Sequence, residues 1–403
     1  MAQADFGPGG CRQSRTPDEL MALKKISALT GHEGRVWNVA WRPREDCFQF
    51  ASCGEDRKIL LWGLRRDADA AQEGSWHLLC DFEASEQHAR TIRSLAWSPA
   101  GDLLAATSFD ATTSLWREEE SPALSPGGAT WVSVAEVTGH ENEVKGAAFS
   151  PSGQYFATCS RDKSVWIYET DARFAYECAA ILQSHTQDVK MVRWHPAQDV
   201  LFSCSYDDTI KIWGQDGDDW DCKETLQGHD STVWAIAFNA TGSRFVTCSE
   251  DTTMRVWAPK RPVINRVSTA LMMTPLFRGT TGALDGPSAA PADAACGWQC
   301  VAVVQGIHPR SVYAVAWCPF PIDVSHSSFV ATACGDNRLR VLKPGNEASL
   351  EGWTCAADTV AHDGDVNSVA WCPNRAVDGT VLLASGGDDE EVVIWSFVCD
   401  EPL

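Results

Sequence analysis

Short apolar runs separated by polar and Gly/Pro stretches recur along this chain. VWNVAW (36–41), VKGAAF (144–149), VKMVRW (189–194) and VNSVAW (366–371) are rich in β-branched and aromatic residues, and turns such as SPAGD and SPSGQ follow them. A second run (FATCS, LFSCS, FVTCS) leads to an aspartate, and a third (VWIY, IKIW, MRVW) ends on an aromatic residue. A fourth opens on one: Trp76, Trp131, Tyr176, Trp220, Trp298 and Trp353. The runs are too short for helices and predict four strands per unit.

The units share a register. Histidines stand at His32, His88, His140, His185, His229, His308 and His362, and aspartates at Asp56, Asp110, Asp162, Asp207, Asp251, Asp336 and Asp389. The third run closes on Trp62, Trp116, Tyr168, Trp213, Trp257, Leu342 and Trp395. Most units are spaced near the ~40–45 residues of a WD40 blade, so the expected fold is an all-β, seven-bladed WD40 β-propeller. Little sequence follows Trp395, and only MALKKISAL (21–29) is left to supply the last blade's fourth strand. The ring is therefore expected to close with this N-terminal strand, which removes an exposed edge. The propeller spans 21–403. Residues 1–20 are expected to be a disordered tail, and the Pro-, Ala-, Gly- and Thr-rich stretch 259–296 a disordered insertion in blade five.

Composition adds constraints. The repeat columns account for most of the 18 Trp against 5 Tyr, as packing between blades; Trp37, Trp166 and Trp234 fall outside them. With 33 basic and 54 acidic side chains the net charge is −21, which argues against a direct nucleic-acid or anionic-membrane binder. No apolar run approaches the ~18 residues of a membrane span, and the first twenty residues have no apolar core like that of a secretory signal. A soluble intracellular protein is expected. The 16 cysteines include no CxxC pair, and most lie in repeat columns that are distant in space. Buried thiols in a reducing compartment, with no metal and no cofactor, are the expectation.

His, Ser/Thr and Asp in one unit resemble a hydrolase triad: His32, Ser52 and Asp56; His140, Thr158 and Asp162; His185, Ser203 and Asp207. A triad occurs once in an enzyme, whereas this set recurs around the ring. The set is read as structural, completed by Trp62 and Trp213, and no catalytic residue is expected. Ala106 replaces the hydroxyl in blade two, which predicts a network one member short. Function is expected on the face that carries the His loops and Asp turns. The residues before the aspartates include Phe109, Arg161 and Tyr206. The residues after the first-strand valine include Trp37, Arg93, Lys145, Lys190, Trp234 and Tyr313. Together they form a basic and aromatic patch suited to a carboxylate-bearing peptide.

SFDATTSLW (108–116), GHENEVK (139–145), ATCSRDKSVWIYE (157–169), SHTQDVK (184–190), SYDDTIKIW (205–213) and GHDSTVWAIAF (228–238) resemble the WD40 subunit of the cytosolic iron–sulfur protein assembly (CIA) targeting complex. The resemblance runs from about residue 22 to the C-terminus and weakens in blade six, at Leu342. It implies a non-enzymatic, monomeric propeller within a larger complex. Implied partners are a small cluster-assembly adaptor subunit, a HEAT-repeat subunit and apo iron–sulfur clients, some ending in an acidic, aromatic-terminated tail. Arg161 is the residue the resemblance marks most strongly. It also implies a cytoplasmic location, with the nucleus left open. A ubiquitin-ligase substrate receptor would use the same face of the same fold.

Overall fold

The computed structural model describes residues 21–45, 47–65, 75–120, 129–170, 175–260, 297–320, 328–376 and 379–399. These form seven four-stranded antiparallel sheets, and the only helical element among them is one 3-10 turn at Ala84–Glu86. Each sheet is one blade, its strands in sequence order from the axis outward. Blade four, for instance, comprises Val189–Trp194, Leu201–Ser205, Ile210–Asp216 and Asp219–Leu226. Blade seven alone mixes the two ends of the chain. Met21–Leu29 pairs antiparallel with Val392–Cys399, in a register from Met21↔Cys399 to Leu29↔Val392. The ring therefore closes with the N-terminal strand, as the sequence predicts.

Burial follows strand position, which explains the hydrophobic pattern. Second strands such as Leu201–Ser205 are buried at every residue, and their sequences are continuously small or apolar. Outer strands such as Tyr176–Leu182 are mostly exposed and tolerate polar residues. The core is a set of layers between blades: one cluster joins Val36, Trp41 and Phe50 of blade one to Leu382, Val392 and Ile394 of blade seven. The first-strand tryptophans also tie blades directly. The indole N–H groups of Trp41, Trp97, Trp194 and Trp371 donate to the carbonyls of Ala370, Ala40, Ala148 and Ala316 in the preceding blade, each at 3.0 Å.

The proposed insertion begins where blade five's third strand ends, at Pro259, and its fourth strand starts at Trp298. Most of that segment and the tail 1–20 lie outside the described residues.

Candidate functional site: the polar networks and the basic face

The His, hydroxyl and Asp columns converge within each blade. In blade four His185 Nδ1 lies 2.8 Å from Asp207, its Nε2 lies 2.7 Å from Ser203 Oγ, and the Trp213 indole N–H donates to Ser203 Oγ at 2.9 Å. Burial disfavours the Asp207 carboxylate, but the His185 hydrogen bond and charge outweigh it and hold the group ionised, well below the usual range. An ionised carboxylate only accepts, so His185 Nδ1 carries the proton and Nε2 accepts from the serine hydroxyl. A one-way chain results, from Trp through Ser and His to Asp. Blades one (His32, Ser52, Asp56, Trp62), five and seven repeat it. The residue after each aspartate adopts a positive φ without being glycine, from Arg57 (64°) to Glu390 (67°). The Asp side chain holds that turn. Asp207 accepts from the N–H of Thr209 at one oxygen and from that of Thr186 in the His loop at the other.

Three blades depart from the pattern. Blade two is not short of a member. Ser114 stands directly opposite Ala106 on the neighbouring strand, and its Oγ meets both His88 Nε2 and the Trp116 N–H at 2.7 Å. In blade three His140 pairs with Asp162 and Thr158, while Trp166 replaces the missing closing tryptophan by donating to Ser164 Oγ at 2.9 Å. In blade six Asp336 is held by Arg340, so His308 keeps Thr332 at 2.9 Å but its buried Nδ1 has no partner.

The chain also brings the surface candidates together. Trp37, Arg93, Lys145, Lys190, Trp234, Tyr313 and Asn367 line one mouth of the axial channel. In every blade the register between first and second strands slips across this position, so all seven residues occupy β-bulges. A bulge bends its strand and re-aims the side chain, which turns these residues toward the axis. The cations sit on aromatic faces. Arg93 lies 5.0 Å from the Trp37 ring centroid, Lys145 4.0 Å from Phe109, and Lys190 5.1 and 4.9 Å from Tyr206 and Trp234. Tyr313 meets Trp234 edge-on at 5.5 Å.

Glu143, absent from the sequence prediction, organises the blade-three part of this face. Its carboxylate takes Arg90 at 3.0 Å, Lys145 at 2.6 Å and Arg161 at 3.5 Å. Burial opposes its ionisation, yet the Lys145 hydrogen bond and neighbouring charges hold it below its ordinary pKa. Lys145 and Lys190 are pushed down by burial and also by Arg93. Arg161 reaches Asp188 only at 3.9 Å and keeps 53% of its side chain exposed, so most of its hydrogen-bonding capacity faces solvent. The buried indole N–H groups of Trp37 and Trp234 have no partner.

The WD domain, G-beta repeat family matches residues 23–63, 80–117, 131–169, 176–214, 220–258 and 353–396. The first three strands of blade six, whose polar network is broken, fall in the unmatched interval. The chain is 40% identical over 422 residues to the probable cytosolic iron-sulfur protein assembly protein Ciao1 of Culex quinquefasciatus, covering 94% of this chain and 99% of that one. The chain belongs to the WD40-repeat family of cytosolic iron–sulfur protein assembly proteins. It is also similar to the probable cytosolic iron-sulfur protein assembly protein 1 of Chaetomium globosum, at 31% identity over 76% of this chain and 83% of the other. A shorter match, to the protein of that name from Vanderwaltozyma polyspora, is 36% identical and covers 39% of this chain and 47% of that one. For this member of the family, the bulge ring and the Arg161 turn are the candidate partner site.

Proposed function

We propose that this propeller is a non-enzymatic scaffold of cytosolic iron–sulfur protein assembly, working in the cytoplasm. Its basic, aromatic face takes carboxylate-bearing segments of its partners: the small adaptor subunit, the HEAT-repeat subunit and apo clients. The observation that carries this reading is local charge. Arg93, Arg161, Lys145 and Lys190 cluster with Phe109, Tyr206, Trp37 and Trp234 on a protein whose net charge is −21. A planar guanidinium beside aromatic walls suits an aromatic-ended acidic tail.

Affinity capture from cytosol with wild-type protein and Arg161→Glu, matched for thermal stability, tests it. The Arg161 ion pairs are long and exposed, worth at most about 1 kcal/mol, so the variant folds. Recovery of the adaptor, the HEAT-repeat subunit and iron–sulfur apoproteins by wild type, with some lost from the variant, is expected. Equal recovery removes Arg161 from the site. Recovery of cullin adaptors in place of cluster machinery overturns the scaffold reading in favour of a ubiquitin-ligase receptor.

A further inference from the structure

The first strands of the seven blades line the axial channel, and one position in them is almost uniform. Six blades place alanine there: Ala40, Ala96, Ala148, Ala237, Ala316 and Ala370. Blade four places Arg193. The fold therefore asks for a methyl group at this depth, and the arginine answers some other demand.

Arg193 lines both the upper mouth of the channel and the wider cavity below it, about 640 Å³, rimmed by Pro43, Pro99, Pro151, Pro196, Pro319 and Pro373. Its side chain is open to the channel while the propeller wall encloses it. Among the described residues it has no ion pair, and no carboxylate lines either part of the channel. Among the described residues it is the only charged side chain in the lower cavity, where His195 is turned to the Gly242 carbonyl and burial favours its neutral form. Burial likewise works against the Arg193 cation, yet a guanidinium does not give up its proton in a protein. A cation that lines a channel between low-dielectric walls focuses its field there and raises the local concentration of counter-ions. Above it, Arg93 has no ion pair among the described residues, while Lys145 and Lys190 on the neighbouring blades are paired with Glu143 at 2.6 Å and Asp188 at 3.5 Å. The cavity falls within the ~300–1,000 Å³ of small-molecule sites.

We propose that the axial channel is a binding site for a small, multiply charged oxoanion, held by Arg193 from the proline-rimmed side. The protein's acidic exterior excludes large polyanions, but a compact ion inside the channel lies behind the wall that separates it from those charges. Arg161 does not line this site, whose upper mouth shares Arg93, Lys145 and Lys190 with the partner face.

The full chain is titrated with inorganic phosphate, pyrophosphate and citrate at constant ionic strength, by calorimetry and, for the phosphates, by 31P NMR. Arg193→Ala restores the residue of the other six blades and so preserves the fold. Saturable binding of one anion per chain, weakened roughly 10- to 100-fold in R193A, is expected from the loss of charge-assisted hydrogen bonds. Preference between pyrophosphate and citrate distinguishes a phosphate ligand from a polycarboxylate. No saturable binding of any of the three, or undiminished binding by R193A, overturns the proposal. Arg161→Glu leaves this binding intact even if the partner face is misassigned.

Discussion

Blade two solves with Ser114 the problem that blade four solves with Ser203, and the difference can be turned into a quantitative test. Ser203 Oγ is fully buried, accepts from Trp213 and donates to His185. Ser203→Ala leaves an indole N–H and a ring nitrogen without partners. Each orphaned buried group costs about 1–3 kcal/mol, so a loss of about 2–5 kcal/mol is expected. Ser203 stands opposite Lys211, as Ala106 stands opposite Ser114. The double variant Ser203→Ala/Lys211→Ser therefore recreates the blade-two arrangement and returns a hydroxyl to both groups. Lys211→Ser alone loses the bond from Nζ to Thr225 and some packing, which the cycle subtracts. Urea unfolding at pH 7, followed by tryptophan fluorescence at constant slope, gives the four stabilities. The coupling should favour the double variant by at least about 1 kcal/mol. Additive effects, or a Ser203→Ala cost below about 0.5 kcal/mol, would refute the view that the hydroxyl can be supplied from either facing strand.

Three other outcomes are expected. Deleting residues 21–29 strips the partner from Val392–Cys399, exposes a β edge, and should yield aggregates by size-exclusion chromatography; a monodisperse, fully stable product would refute ring closure as a requirement. His308, pushed down to about 4 by burial and by the Arg340 charge, stays neutral in the fold while the unfolded chain takes a proton near 6.5. Its contribution is thus complete above about pH 6.5 and is lost as pH falls toward 4. That is about 2 kcal/mol between pH 7 and 5, and His308→Asn should remove this part of the slope in urea midpoints. Native alkylation with iodoacetamide, mapped by mass spectrometry, should label the exposed Cys178 and Cys355. It should spare Cys53, Cys159, Cys204 and Cys248, whose thiols burial pushes far up, and Cys318 and Cys372, pushed up to about 12.

The blades and their closure were legible because a propeller repeats its packing demands. Second strands are buried on both faces, every first strand carries an aromatic, and six of the seven Asp turns pair with their His. Hydrogen-bond geometry within a blade was less legible. A hydroxyl reaches His88 from either of two facing strands, so reading one column left Ala106 without its substitute Ser114. Trp166 was set aside for the same reason, although it supplies the indole N–H that Tyr168 cannot. On the face, the bulge ring followed from its place after the strand valine, but the bulges themselves come from strand pairing and leave no mark in composition. Glu143 is an anion within a cationic face, so the charge pattern that marks the face does not mark it. Its signal was its place in GHENEVK, between Arg90 and Arg161 in space but not in sequence. Arg193 did leave a mark, as one arginine in a column of alanines. The apolar pattern of VKMVRW marks it as a strand, and only alignment with the other six first strands sets the arginine apart.

The seam in blade seven bears on how the molecule is made. Leu29 leaves the ribosome early, but its partner Val392 is translated 363 residues later. At ~5–20 residues per second the first strand waits roughly 20–70 s for its mate. Through that interval the nascent chain is an open arc of finished blades with two sticky ends, one tethered to the ribosome and one free. Folding can advance blade by blade, but closure needs the pairing of Met21–Leu29 with Val392–Cys399. A chain stalled before residue 392 stays an unclosed arc however well its other blades have formed.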